Sequence, residues 1–364
     1  FWLPALMPSE LSEPDCAPIR HRMLGEDLVA YRDSSGRVAF MQDACPHRGA
    51  SMFFGRNEEN GLRCVYHGWK FDVTGACTDM PNEPAESNFK HKIHATAYPA
   101  VEHGGVVWIY MGPADKQPSA PPALDWCLVT DEQRHLRKWI QKSNYAQGLE
   151  GNIDSSHVGF LHRRFEAVNS TPGRRGNLVV DNLAPQITVR ETEFGFIYGA
   201  RRDGPDANHY WRLTPFLMPG YTGVPSPVWP RGCHAVVPRD DHSTWWFEVI
   251  YDPTAPIKEE RKQNGLRVIP GTWNTFANRD NDYTIDRELQ RTGNFTGIAN
   301  VREQDMAIVE TMGPVLDRTV EHLGSADTAI IAYRRMMIRA ARQLQQRREL
   351  ATRWRKERQA GTPR

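Results

Sequence analysis

The sequence predicts an α+β protein in two parts, a small all-β N-terminal domain followed by a larger domain whose antiparallel sheet is covered by helices. Three observations lead there. Up to about residue 115, short β-prone runs such as Leu28-Val29-Ala30-Tyr31 and Val106-Val107-Trp108-Ile109-Tyr110 alternate with Gly, Asp, Asn and Pro turns. A Pro-rich break then falls at Gln117 to Pro122, where Pro118, Pro121 and Pro122 can extend neither a helix nor a central strand. Beyond it, period-two alternation marks strands at Gln186 to Glu191, Phe194 to Arg201, His209 to Met218 and Thr244 to Tyr251. Helical patterns run near Leu149 to His162, from about Arg302 to Leu316 and from Ala326 to Lys356. The expected division is residues 1–115, a linker at 116–124 and a second domain at 125–364. No internal repeat or low-complexity tract points to a solenoid or a disordered scaffold.

Composition narrows the function classes. With 364 residues, 40% hydrophobic, 24% charged and a formal net charge of +1, the chain can bury a substantial core and has no general attraction to nucleic acid. The Arg-rich stretch from Arg339 to Arg358 reads as a solvated helix face. No run approaches the roughly 18 apolar residues that span a bilayer, so no membrane partner is expected. No signal peptide is visible ahead of the first strand-like segment, and a cytoplasmic location is expected. Of the six cysteines, only Cys45 and Cys64 sit in a patterned setting with histidines, which suggests metal and not disulfides.

That setting is Cys45-Pro46-His47-Arg48-Gly49, followed, after sixteen intervening residues counted from Arg48 to Arg63, by Cys64-Val65-Tyr66-His67-Gly68-Trp69. Thiolates neutralise ferric iron on one side of a 2Fe-2S cluster, while two neutral imidazoles on the other iron raise its potential. The glycines after each pair let the backbone approach closely, so that amide N–H groups can face the cluster sulfurs. Tetrahedral zinc is the alternative for two Cys and two His, although zinc fingers usually group a Cys pair and a His pair. The two loops resemble the C-x-H and C-x2-H boxes of the Rieske family. Respiratory members carry further cysteines beside the boxes, where this chain has Arg48 and Tyr66, so it resembles the lower-potential, ferredoxin-like branch.

A Rieske ferredoxin would end near residue 110, yet about 250 residues follow, and they contain Glu150-Gly151-Asn152-Ile153-Asp154-Ser155-Ser156-His157-Val158-Gly159-Phe160-Leu161-His162. Histidines five apart lie about 140° apart on an ideal helix, so both reach one metal only where the helix is distorted or ends. Spacing alone fits two hydrogen-bonded structural histidines equally well. The segment resembles the D-x2-H-x4-H motif of Rieske oxygenases, which implies that His157 and His162 bind a mononuclear iron. A carboxylate would complete a set of ligands on one face, leaving positions open for O2. Asp305, in Arg302-Glu303-Gln304-Asp305-Met306-Ala307-Ile308-Val309-Glu310, looks like the family's third ligand, with Glu303 and Glu310 as alternatives. Asp154, one turn before His157, is placed to hold its imidazole N–H. The resemblance gives it a further role, bridging His67 of a neighbouring subunit to His157 around a trimeric ring. Glu150 stands where some members have Asn.

Glu150 to His157, Asn294-Phe295-Thr296-Gly297-Ile298 and Glu310 to Thr319 resemble the phthalate dioxygenase-like branch, built from α subunits alone. The likeness covers nearly the whole chain. It implies a helix-grip catalytic domain, a homotrimer or stacked pair of trimers, and a terminal oxygenase that uses O2 to hydroxylate an aromatic carboxylate, by cis-dihydroxylation. Electrons would come from NADH through a flavin and iron-sulfur reductase, and the sequence has no flavin or nucleotide fingerprint of its own. An acidic substrate favours a guanidinium, which grips carboxylates in two-pronged fashion. Arg201, Arg202, Arg212 and Arg239 lie on or beside the expected cavity strands. Alternation turns only one of Arg201 and Arg202 inward, and Arg202 with Arg239 is the expected pair, surface ion pairs being the alternative. A Rieske monooxygenase or O-demethylase, a pure electron carrier and a zinc-stapled binding protein are the rival functions.

Overall fold

The computed structural model describes the backbone of residues 1–165, 175–204 and 207–360, and their side chains except at 85, 175–177 and 348–360. The N-terminal part is built of eleven short strands: β1 (Trp2–Leu6), β2 (Ile19–Met23), β3 (Glu26–Arg32), β4 (Val38–Gln42), β5 (Arg56–Glu58), β6 (Gly61–Arg63), β7 (Lys70–Phe71), β8 (Cys77–Asp79), β9 (Ala97–Tyr98), β10 (Ala100–His103) and β11 (Val106–Tyr110). They form three sheets, ordered β1-β11-β10, β2-β3-β4-β9 and β5-β6-β7-β8. β11 is buried along its whole length, which explains its unbroken apolar run Val-Val-Trp-Ile-Tyr.

The second part is organised on one seven-stranded antiparallel sheet, ordered β12-β18-β17-β16-β15-β14-β13. Its strands are β12 (Arg134–Gln141), β13 (Gln186–Thr192), β14 (Gly195–Asp203), β15 (His209–Leu217), β16 (Tyr221–Val224), β17 (Arg231–Pro238) and β18 (Thr244–Tyr251). The helices are α1 (Tyr145–Ile153), α2 (Arg175–Asp181), α3 (Glu259–Gln263), α4 (Arg287–Thr292), α5 (Val301–Thr311) and α6 (Thr328–Ala360). This is the helix-covered antiparallel sheet expected from the sequence.

Strand alternation gives the sheet two different faces. Ile140, Val237, Trp245 and Phe247 pack with Trp2, Leu6 and Val107, so one face is glued to the N-terminal part by a shared core. Trp139, Tyr198, Phe216 and Trp246 point the other way and pack on Leu149 and Ile153 of α1, Met306 of α5 and Tyr333 of α6. Removing an aromatic side chain of this size from water contributes on the order of 2–3 kcal/mol.

Two expected helices are shorter than read. The pattern from Leu149 to His162 is helical only to Ile153, because the Asp154 carboxylate accepts the Ser156 and His157 backbone N–H groups at 2.6 and 3.1 Å and takes the chain out of the helix. The pattern from Arg302 to Leu316 stops at Thr311, ahead of Gly313 with φ of 96° and Pro314. β12, β16 and β17 were not evident in the sequence.

Candidate metal centres

The two Cys-His loops are built alike. Cys45 N–H donates to Ala50 O at 2.8 Å and Gly49 N–H to Cys45 O at 2.8 Å; in the second loop Cys64 N–H donates to Trp69 O at 2.8 Å and Gly68 N–H to Cys64 O at 2.9 Å. Each turn closes on a left-handed glycine, Gly49 at φ 76° and Gly68 at φ 78°. At Gly68 a Cβ would also lie 2.6 Å from the Pro81 ring. Both cysteines are buried, and the rings of His47 and His67 meet edge to face with centroids 4.4 Å apart. His47 stacks on Trp69 at 4.3 Å, and the Trp69 indole N–H is fixed by Asn82 at 2.7 Å.

These residues fit a two-iron cluster. The His67 Nδ1 atom is buried and has no hydrogen-bond partner, as a metal-directed nitrogen would be. Burial pushes the Cys45 thiol up to about 11, so a thiolate there needs an adjacent positive charge such as a ferric ion supplies. Among the described residues no three of these four side chains bring ligand atoms within 4.8 Å of one another.

The second cluster of ligand types is His157, His162 and Asp305, whose donor atoms do converge within that limit. His157 Nε2 lies 3.2 Å from His162 Nε2, His162 Nε2 lies 3.1 Å from Asp305 Oδ1, and His157 Nε2 lies 3.7 Å from the same oxygen. Donors about 2.1 Å from an ion at right angles to one another would be about 3.0 Å apart, so the three atoms suit one triangular face of an octahedron. Both rings are held from behind. His157 Nδ1–H donates to Asp154 Oδ2 at 3.2 Å, and His162 Nδ1–H donates to Gln304 Oε1 at 2.7 Å, which leaves both Nε2 lone pairs facing the gap. Burial alone would raise the Asp305 carboxyl, but His162, His157 and Arg302 outweigh it and hold it below the ordinary carboxylate value, in the charged form a cation needs. Glu303 and Glu310 are not part of this group; Glu310 instead accepts Lys142 N–H at 2.8 Å and the Tyr283 hydroxyl at 2.7 Å.

Gln304, which sequence reasoning did not single out, begins a chain of support. Its amide N–H donates to Ile298 O at 2.7 Å, and that oxygen also receives Asn294 Nδ2–H at 3.0 Å. Phe295 N–H donates to Arg163 O at 3.0 Å beside His162. The Asn-Phe-Thr-Gly-Ile stretch thus anchors the second histidine. The floor of the site is equally fixed. At Gly148 a Cβ would lie 2.6 Å from the Trp246 ring, so only glycine lets α1 press this close to the sheet. Glu150 points away from the triad and accepts Arg318 at 2.9 Å and Arg334 at 2.8 and 2.9 Å, clamping α1 to α6. Asp154, His157, Asp305, Trp246, Ile308 and Met312 border a cavity of about 110 Å³.

The structure does not bring Arg202 and Arg239 together. Arg202 does face inward, but its guanidinium donates to Asn182 O at 3.0 Å and Ser155 O at 2.9 Å, latching the turn that leads into His157. Arg239 follows β17 on the opposite side of the sheet and borders a separate cavity. Arg212 shares the inward side of β15 with Thr214 and Phe216 and is near enough to interact electrostatically with His157. Its Nε is buried without a partner, and among the described residues it forms no ion pair.

The two Cys-His loops, with their cysteines buried and their histidines half-buried, suit two irons, and the His157, His162 and Asp305 triad suits one, the equipment of an oxygen-using redox protein. Residues 1–99 match the Rieske [2Fe-2S] domain family, and residues 109–358 match the family described as LigXa C-terminal domain like. The chain belongs to the Rieske-type oxygenases: it is the terminal oxygenase component of such a system, an oxidoreductase carrying a Rieske 2Fe-2S cluster and a mononuclear non-heme iron. It is 39% identical to the phthalate 4,5-dioxygenase oxygenase subunit of Pseudomonas putida, over 93% of this chain and 80% of that protein. To the 3-chlorobenzoate-3,4-dioxygenase oxygenase subunit of Comamonas testosteroni it is 36% identical, over 94% and 83%. To the 5,5'-dehydrodivanillate O-demethylase oxygenase subunit of Sphingobium sp. (strain NBRC 103272 / SYK-6) it is 30% identical, over 93% and 74%. The crystal structure of dicamba monooxygenase bound to dicamba shares the fold, with a TM-score of 0.63 at 19% identity over 93% of this chain and 96% of that one. Such oxygenase subunits work in multi-component systems, and among the described residues no helix is long and apolar enough to cross a membrane.

Proposed function

We propose that this chain hydroxylates an aromatic carboxylate of the phthalate type, by cis-dihydroxylation, with electrons from NADH through a separate flavin and iron-sulfur reductase in the cytoplasm. Residues 1–115 carry the cluster on Cys45, His47, Cys64 and His67, residues 116–124 link, and residues 125–364 hold the catalytic iron on His157, His162 and Asp305. The observation that carries the reading is the triad, with both Nε2 atoms and one carboxylate oxygen turned to a common point while each ring is fixed from behind. The bound irons supply one-electron transfer and activation of dioxygen, chemistry that side chains lack.

The protein's own residues govern position and charge. Asp154 holds His157 in the tautomer that presents Nε2, and it lines the cavity beside it. In a homotrimer, or a stacked pair of trimers, Asp154 would also connect His67 of a neighbouring copy to His157. Trp246, Ile308 and Met312 give the cavity apolar walls against which a ring can pack. For the substrate carboxylate we favour Arg212 over Arg202 and Arg239, because it alone of the three stands on the triad's side of the sheet with no hydrogen-bond partner. The test is steady-state turnover of phthalate with a cognate-type reductase and cis-dihydrodiol detection. Arg212→Gln is expected to raise KM by roughly ten- to a hundredfold with a smaller change in kcat. A KM within twofold of wild type would remove Arg212 from the substrate site.

A further inference from the structure

A cavity of about 1010 Å³ lies on the other face of the sheet, in the cleft between the two parts of the chain, and its lining shares no residue with the cavity at the triad. The separation follows from parity in β18, where Trp245 belongs to the cleft and Trp246 to the triad side. The mechanism uses none of the groups in this cleft.

Its charges are unevenly matched. The acids are all satisfied by protein groups. Glu10 accepts Lys138 Nζ–H and Trp273 Nε1–H, each at 2.8 Å. Asp43 accepts the Ser51 hydroxyl at 2.8 Å and Phe53 N–H at 3.0 Å, and Asp27 is paired with Arg22 at 2.7 Å. Two guanidiniums are left without a carboxylate. Arg239 lies 5.0 Å above the Trp245 ring, with one bond to Ser243 Oγ and its Nε buried without a partner. Arg20 lies 3.7 Å above the Phe53 ring and forms no ion pair among the described residues. His21, which follows the exposed Arg20 on β2, is buried and stacked on Trp245 at 5.1 Å, with its Nε2 also unpartnered. Burial first, and then Lys138 and Arg239, hold the proton affinity of that imidazole well below its ordinary value.

A pocket of this volume with aromatic and aliphatic walls and a few convergent polar groups has the character of a small-molecule site. Unpaired guanidiniums backed by aromatic faces bind carboxylates well. The geometry points to a second ligand site in this cleft, for a carboxylate on a flat apolar body, held by Arg239 and Arg20 with Phe53, Trp245 and Trp273 as walls. This site does not depend on the reaction assigned above.

The test is a titration of the full chain with 4-fluorobenzoate followed by fluorine NMR, with neutral fluorobenzene as the uncharged control. A saturable bound signal is expected that weakens roughly ten- to a hundredfold in Arg239→Gln, disappears when Ile269→Trp fills the mouth, and persists in Arg212→Gln. Thermal unfolding of each variant checks that it folds, and Ile269→Trp leaves both guanidiniums in place. A bound signal indifferent to Arg239→Gln and Ile269→Trp, one abolished by Arg212→Gln, equally tight fluorobenzene, or no saturable signal would each overturn the proposal. Loss of phthalate turnover without loss of this signal would touch only the reading of the triad.

Discussion

At the scale of single residues, the site is a matter of which nitrogen faces the gap. A histidine can present either ring nitrogen, and the hydrogen bond made by one decides the role of the other. Asp154 and Gln304 settle this for His157 and His162. Gln304→Leu removes the acceptor for His162 Nδ1–H, and iron affinity is expected to fall about 10- to 100-fold while the cluster is unaffected. Chelator competition for the mononuclear iron, with the cluster absorbance as internal reference, measures it; unchanged affinity would show that His162 is oriented by packing alone. Asp305 was legible because a carboxylate was required and the segment around it resembled a known helix. Gln304 was not, since glutamine is no usual iron ligand, and neighbours on a helix point about 100° apart. The arginines were harder still. Alternation turns Arg202 inward, but it cannot show that the guanidinium is tied to backbone carbonyls or that Arg239, past the end of β17, lies on the face opposite the triad.

At the scale of elements, two of the strands the sequence hid, β12 and β17, carry polar groups that are paired inside the fold. β12 reads Arg-His-Leu-Arg-Lys-Trp-Ile-Gln, without apolar alternation, because Arg137 is paired with Glu248 at 2.6 Å and Lys138 with Glu10 at 2.8 Å. β17 is disguised by Gly232, His234 and Pro238, and its His234 also approaches Glu248, at 3.7 Å. Glu248 therefore ties β12, β17 and β18 to Arg302 at the start of α5, the helix that carries Asp305. Burial alone would raise its carboxyl, but Arg302, His234 and Arg137 together hold it well below the ordinary value of 4.5. A depressed folded value means that its stabilising contribution is present above about pH 4.5 and is lost as pH falls through the folded value. Glu248→Gln leaves two guanidiniums short of a partner and is expected to cost roughly 3–5 kcal/mol at neutral pH. Denaturant unfolding at pH 7 and at successively lower pH should show the gap to wild type closing; a gap independent of pH would mean that the loss is one of packing. The three stretches that carried the family resemblance have structural reasons to be there: one holds the first histidine and the α1–α6 clamp, one anchors Gln304, and one ties α5 to the start of α1.

At the scale of the whole molecule, one sheet keeps two sets of chemistry apart, the triad on its helix-covered face and the arginine cleft on the face glued to the cluster-bearing part. If electrons cross from the cluster of one copy to the iron of the next, two dead variants should rescue each other. Co-expressing His67→Ala with Asp305→Ala gives chains that each lack one centre, yet roughly a quarter of wild-type turnover is expected from the whole randomly assembled population of trimeric rings, the fraction of intact cluster-iron neighbours at random assembly. No recovery in rings shown to be mixed would mean that each chain reduces its own iron.

The central claim is that one chain carries both centres and that the mononuclear iron rests on His157, His162 and Asp305. The most direct measurement is iron and acid-labile sulfide per chain on anaerobically purified protein, with an EPR spectrum after reduction, for wild type and Asp305→Ala. About three irons and two sulfides per chain are expected, falling toward two irons in the variant with the reduced-cluster signal unchanged. About two irons and two sulfides in both, with no further iron bound on addition of ferrous ion, would contradict it.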